Sequence, residues 1–294
     1  MCRLFGLTAG RERIAATFWL LDAPDSLQVQ SRRNADGAGI GFFDAAGVPV
    51  IDKQPVAAYQ DAEFSREAKQ AMSRAFVAHV RWATAGGRTV PNTHPFAMRG
   101  LIMAHNGGFG EMARLDEQLG PYRDLVLGDT DSERYFALMI QQIDACGGDV
   151  GTGITAAARW IGERLPVSSL NTIVAAPGEL WALRYPAPHA LHILERPAGE
   201  SRKHGAGGAD KAGGGSAGLH VRSATSSVHA PGLDAVPSVV IASEELDGED
   251  GWRMLAPGEL VHVRADLTVE SAVVLPGAPA RPVPLPAGNP NIDT

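Results

Sequence analysis

A strand-like apolar run directly behind a cysteine, Cys2-Arg3-Leu4-Phe5-Gly6-Leu7, constrains this chain more than any other stretch. Leu4-Phe5-Gly6-Leu7 reads as a buried strand, so the fold has to draw its first residues inward, where most termini are loose. Removal of Met1 would make Cys2 terminal and put a thiol and a free α-amine on one residue. An α-amine titrates near pH ~7.7–8.0 and a thiol near ~8.5. The amine can then take the thiol's proton close to neutral pH without a His or Asp partner, and N-terminal amines are known activators of such nucleophiles. Taken alone, the stretch is better read as a cysteine near a ragged end. Residues further along reverse that balance.

With 294 residues, 45% of them hydrophobic, the chain can bury a large core as one big domain or two smaller ones. A net charge of -7 argues against nucleic acid or an anionic membrane as the main partner. Two cysteines, Cys2 and Cys146, make no disulfide framework and fit a reducing cytoplasm. The start lacks a secretory pattern, and the apolar patch from Ala15 to Leu21 is too short to span a bilayer. A cytoplasmic enzyme or binding protein is the expectation.

Along the chain, residues 11–30 read as an amphipathic helix and loop, with Ile14, Phe18, Leu20 and Leu21 on the apolar side. Asn34-Ala35-Asp36-Gly37-Ala38-Gly39-Ile40-Gly41 is a glycine-rich turn feeding a strand, and its glycines let a backbone pass close to something else. Residues 75–82 read as a strand and 101–104 as another, running into a His105-Asn106-Gly107-Gly108 loop. Thr130 and Glu133 stand at capping-box spacing before a long helix, and a second helix spans about 154–165. From Leu170 the texture turns to short strands, interrupted by residues 198–218. That insert is rich in Gly, Ala, Ser and Lys, and reads as a mobile surface loop. One domain over 2–275 and a Pro-rich, extended tail over 276–294 complete the expected organisation.

Arg81, Asn106-Gly107 and Asp131 fall where a strand hands over to a loop or helix, which is where binding groups tend to lie. Arg81 can clamp a carboxylate, Asp131 can accept from an ammonium group, and Asn106 and Gly107 can offer N–H groups to an oxyanion. A carboxylate clamp, an ammonium acceptor and an amide-cleaving thiol together describe glutamine or a γ-glutamyl amide. Singly, each has an ordinary reading: a salt-bridged strand end, a turn, a charge at a helix N-terminus. His79 and His105 read as structural, because no metal-like spacing joins them, and Cys146 reads as a packing residue. Ser226, Ser227 and His229 lack the Gly-x-Ser-x-Gly elbow of a serine hydrolase.

The motifs at 1–6, 34–41, 79–84 (His-Val-Arg-Trp-Ala-Thr), 92–96 (Asn-Thr-His-Pro-Phe), 105–107 and 129–133 resemble those of the class II glutamine amidotransferases, which are N-terminal-nucleophile hydrolases. Among these, the chain looks most like the stand-alone, single-domain members, a group that includes the γ-glutamyl hydrolase of ergothioneine biosynthesis. The resemblance implies an α+β, four-layer αββα sandwich. It also implies Cys2 as nucleophile with its own α-amine as base, Arg81 on the substrate α-carboxylate and Asp131 on the α-ammonium. Asn106 and Gly107 would form the oxyanion hole, Trp82 and Thr84 the pocket wall, with the loop of His94 nearby. No cofactor or metal is implied. The expected partner is a small-molecule substrate, glutamine or a γ-glutamyl compound. No acceptor segment follows the amidotransferase part, so an ammonia-accepting synthase would be a separate chain. The remaining alternatives are a glutaminase subunit serving such a synthase and a non-catalytic glutamine-binding homologue. Ala38 stands where the family usually carries Trp, which suggests a wider site.

Overall fold

The computed structural model describes residues 2–83, 86–198, 218–223, 226–231, 236–248 and 250–284. Its strands in chain order are β1 (Arg3–Thr8), β2 (Ala38–Phe43), β3 (Pro49–Gln54), β4 (Ala75–Val80), β5 (Phe96–Met98), β6 (Leu101–Phe109), β7 (Pro166–Ala176) and β8 (Glu179–Leu183). These are followed by β9 (His192–Arg196), β10 (Gly218–Ser223), β11 (Ser226–Pro231), β12 (Ser238–Ala242), β13 (Arg253–Met254), β14 (Glu259–Val263), β15 (Val269–Val273) and β16 (Arg281–Pro282). The α-helices are α1 (Leu27–Gln30), α2 (Ala62–Gln70), α3 (Met112–Leu119), α4 (Asp131–Ala145) and α5 (Val150–Arg164).

One sheet runs in the order β13-β9-β12-β1-β4-β2-β3, and the other runs β15-β14-β8-β7-β6-β5. All of these pairings are antiparallel. Among the described residues only β16 joins in parallel, beside the start of β7, and β10 and β11 form a separate hairpin. The first strand is therefore central, flanked by β12 and β4, with Phe5 opposite Ala242 on one side and Ala78 on the other.

Alternation along the strands sorts the side chains into three cores, because successive residues point to opposite faces. Phe5, Leu7, Phe76, Ala78 and Val80 pack with Phe64 of α2 and Leu27 of α1 on the outer face of the first sheet. Leu4, Val77, Ile102, Ala104, Ile173 and Ile241 meet between the sheets. Met103, Val174, Leu183 and the apolar residues of α3, α4 and α5 fill the outer face of the second. Helices, sheet, sheet, helices: the four-layer αββα sandwich is the observed architecture.

Several elements differ from the sequence reading. Residues 11–30 do not form one amphipathic helix. They form a π-helical turn at Phe18–Asp22 and the single turn α1. Phe18, Trp19 and Leu20 are consecutive yet all buried, because tertiary packing surrounds them, with Trp19 edge-on to Trp252. His105, Asn106 and Gly107 are not a loop after a strand; they lie inside β6, which continues to Phe109 against β7. The long helix starts as its cap predicts: Thr130 Oγ1 accepts from Glu133 N–H at 3.2 Å, a contact of about 1 kcal/mol. Glu133 then reaches past the cap to the N–H of Gly128. The start of the Pro-rich stretch is tied down, since Ala280 and Val283 donate to Gly162 and Val167 carbonyls. Residues 199–217, most of the predicted mobile insert, and residues 285–294 of the tail lie outside the described residues.

Four histidines, His79, His94, His105 and His189, are buried among the described residues. Burial pushes His79 down to about 3, with the Arg81 charge adding to the effect. His189 is pushed down to about 4 for the same first reason, and His94, stacked on His79 with centroids 4.2 Å apart, lies well below its usual range. The unfolded chain takes up protons near pH ~6.5 while the folded chain stays neutral to about 4 and about 3. The stability these rings contribute is therefore whole above that unfolded value and is lost as pH falls below it. Urea midpoints measured between pH ~6.5 and ~5, where carboxylates are still ionised, should drop with each step down, and His79→Leu should flatten that slope. An unchanged midpoint across the window would contradict the assignment.

Candidate active site

The same alternation that builds the inter-sheet core brings the chemistry together. Cys2 precedes β1 on the side of Leu4, Arg81 follows β4 on the side of Val77, and Asn106 lies in β6 on the side of Ala104. At one end of the layer these positions replace apolar packing with polar groups. Asp131 reaches the same place from the helical layer, as the first residue of α4.

Cys2 is half-buried, and its sulfur faces the backbone of Trp82. The Trp82 N–H donates to Sγ at 3.3 Å, and the thiol donates back to Trp82 O at 3.4 Å. Burial pushes the thiol up; the Trp82 N–H, the positive charge of the chain terminus and Arg81 oppose that, while Asp131 adds to it. The sulfur thus rests as a thiol within electrostatic reach of one fixed cation and one fixed anion. A nearby base is needed to make it a nucleophile at neutral pH.

Arg81 is buried, and its Nη1 donates to Gly87 O at 3.1 Å. Its backbone is locked to the glycine-rich segment, with Arg81 N–H donating to Gly37 O and Asp36 N–H to Arg81 O. The Asp36 carboxylate accepts from Ala83 N–H at 2.8 Å and pairs with Arg88 at 2.5 Å, so one acidic side chain holds the segment 81–83 in place. Trp82 is 39% exposed, and its backbone flanks the sulfur. Thr84 lies outside the described residues.

Asn106 is buried, and its carbonyl accepts from Ser169 Oγ at 3.0 Å. Opposite it on β7, Asn171 ties β7 to the chain after β8, donating to His189 O and accepting from Tyr185 N–H. Gly107 is a glycine by necessity: a Cβ there would stand 1.9 Å from Ser169 O. His105 points the other way, with Nε2 3.2 Å from Ser169 O and Nδ1 2.9 Å from Ser132 Oγ. A carbonyl only accepts, so Nε2 carries the proton and the Ser132 hydroxyl donates to Nδ1. The Asp131 carboxylate accepts from the N–H groups of Ser132, at 2.9 Å from Oδ1, and Phe109, at 3.3 Å from Oδ2, and Ser132 Oγ also lies 3.3 Å from Oδ1. Oδ2, with one donor, retains a lone pair for a ligand ammonium.

His94 is buried, its ring lodged between His79 and Phe96. Its carbonyl lies where a Cβ on Gly39 would stand at 2.4 Å, the close backbone passage that the glycine-rich segment suggested. Ala38 packs on the outer face of its sheet with the helical layer, so its small size bears on that core and does not widen the site. Asp36, Asn92 and Ser132 lie inside the quoted motifs but carry no individual role in the sequence reading, and Ser169 lies outside them. Nothing local marks a side chain that braces another segment. Among the described residues, no group of three or more His, Cys, Asp or Glu could hold a metal ion, and no helix is long and apolar enough to cross a membrane.

Comparison with known proteins accords with this geometry. The chain is 28% identical over 256 residues to the gamma-glutamyl-hercynylcysteine sulfoxide hydrolase of Mycolicibacterium smegmatis, covering 83% of this chain and 88% of that protein. It is 30% identical over 135 residues to the probable glutamine amidotransferase DUG3 of Saccharomyces cerevisiae, covering 42% of this chain but only 38% of the yeast protein. Among solved structures, the Bacillus subtilis glutamine phosphoribosylpyrophosphate amidotransferase shares the fold with TM-score 0.61 at 17% identity, over 94% of this chain and 50% of that one. A class-II glutamine aminotransferase domain protein from Silicibacter pomeroyi does so with TM-score 0.57 at 18% identity, over 92% and 98%. The family model for class-II glutamine amidotransferases matches residues 1–201, well over half of the 294, and the chain belongs to that family.

Proposed function

We propose that the chain hydrolyses the γ-amide bond of glutamine or of a γ-glutamyl conjugate, with Cys2 as its nucleophile once Met1 has been removed. What supports this is that the charges of Arg81 and Asp131 both act on the Cys2 sulfur. Those are the two counter-charges that an α-amino acid head requires. The Cys2 α-amine takes the thiol proton, and sulfur attacks the γ-carbonyl carbon. The oxyanion that forms is met by the Asn106 side-chain N–H and the Gly107 N–H, the kind of donor pair that stabilises developing charge. The protonated α-amine gives its proton to the leaving nitrogen as the C–N bond breaks, leaving a γ-glutamyl thioester. Water, deprotonated by the same amine, then cleaves the thioester to release glutamate. Arg81 holds the α-carboxylate and Asp131 the α-ammonium throughout, and Trp82 lines the mouth. His94, buried and neutral, supports the wall without touching substrate.

A free-standing deprotecting hydrolase is favoured over an ammonia donor, because the near full-length similarity is to a protein named as a γ-glutamyl hydrolase. Supply of ammonia to a separate synthase is the second form of the same chemistry, in keeping with relatives such as glutamine–fructose-6-phosphate aminotransferase.

Intact-mass measurement should find Met1 absent and one equivalent of a glutamine-mimicking electrophile on Cys2. Cys2→Ala should lose all turnover of a γ-glutamyl panel while melting at the wild-type temperature; equal turnover by the variant would remove Cys2 from the mechanism. Gly107→Ala drives a methyl into Ser169 O and displaces the adjoining N–H, so kcat should fall by about 10²–10³-fold, the usual loss for one oxyanion donor. A kcat within twofold of wild type would place the oxyanion elsewhere.

A further inference from the structure

Arg81 and Asp131 come from different layers, one following β4 of the first sheet and the other opening α4 beyond the second. An α-carboxylate and an α-ammonium share one carbon, so a site that uses both must hold its two counter-charges at a fixed spacing. One side chain bridges the segments that carry them.

Asn92 is 1% exposed, in the chain between β4 and β5. Its Nδ2–H donates to Gly87 O at 3.2 Å, the same carbonyl that accepts from Arg81 Nη1–H at 3.1 Å. Its Oδ1 accepts from Asp129 N–H at 2.8 Å, two residues before Asp131. The far end of this strut is rigid in turn, because the Thr130 cap and the Glu133 carboxylate fix residues 128–130 to the first turn of α4. Residue 128 is a glycine for the same reason: a Cβ there would meet Asn92 Oδ1 at 2.4 Å. Asn92 N–H donates to Thr89 O, which sets the side chain's own origin. Both ends of the amide are used, one as donor and one as acceptor. A carboxylate or an alkyl group cannot supply both, and a hydroxyl would have to do so from a single atom.

We infer that Asn92 is a positioning residue that sets the distance between the Arg81 clamp and the Asp131 acceptor. It thereby makes the site selective for γ-glutamyl compounds whose α-carboxylate and α-ammonium are both free. This rests on the function proposed above. Loss of the strut lets the two loops drift, and binding that depends on both charges suffers more than binding that uses one.

The test compares three anilides: γ-glutamyl-p-nitroanilide, glutaryl-p-nitroanilide, which lacks the ammonium, and 4-aminobutyryl-p-nitroanilide, which lacks the carboxylate. The wild type should prefer the first strongly. In Asn92→Ala, KM for the γ-glutamyl substrate should rise about tenfold or more as the two charges lose their fixed spacing, with kcat nearly unchanged. Its preference over both truncated anilides should shrink by a similar factor. Asn92→Asp keeps an oxygen toward Asp129 N–H, and should fall between wild type and Asn92→Ala. Melting temperatures confirm that each variant is folded. An unchanged preference, or an equal loss of kcat on all three substrates, would overturn the role of Asn92 while leaving the proposed function standing. A wild type that turns over none of the three would sink both.

Discussion

A chain start threaded into the middle of a seven-stranded sheet is the constraint on which the rest of this molecule depends. β1 pairs with β4 and β12 at once, and residues far along the chain close around its beginning. Leu4 N–H donates to Ser243 Oγ and Leu4 O accepts from Ser243 N–H, while Arg3 pairs with Glu244. Further on, Thr8 Oγ1 donates to Gly178 O in the turn between β7 and β8 and so fastens the strand to the opposite sheet. A terminus held this way has little of the fraying expected of chain ends. The sulfur beside it can therefore have a defined position.

From that anchor, the pleat decides the chemistry. Side chains of β1, β4 and β6 that face the other sheet are apolar through the middle of the layer. At the end where Cys2 emerges they become Arg81 and Asn106. Burial there raises the thiol, and Arg81 and Asp131 act on it in opposite senses. Such a sulfur is not a standing thiolate, which suits a mechanism in which the proton is shuttled by a neighbouring amine.

The supporting shell is made almost wholly of short polar side chains bonded to backbone. Asp36 secures the 81–83 segment, Asn92 joins it to the start of α4, and Ser169 and Asn171 secure β6 and β7 behind Asn106. Each replaces a flexible loop contact with a directed hydrogen bond, the kind of support that keeps reacting groups within a fraction of an ångström.

Much of this was legible in the linear text. The buried first strand, β4, most of the short strands after Leu170, the capped start of α4 and the residue types of the site all follow from local pattern, because strand alternation and helix caps are written within a few positions. Cys2, Arg81, Asn106 and Asp131 could be named because thiol, guanidinium, amide and carboxylate at element ends are chemically conspicuous. What the text did not contain was partnership across distance. Residues 11–30 have a helical apolar pattern yet fold as short turns, because burial by the first sheet and Trp252 outweighs their periodicity. Asp36 and Asn92 look like ordinary turn residues, and only the packed chain shows which carbonyls and N–H groups they reach. The sequence by itself determined the chemical groups and the strands that carry them. The tertiary structure decided their spacing, because hydrogen bonds between segments tens of residues apart have no local signature.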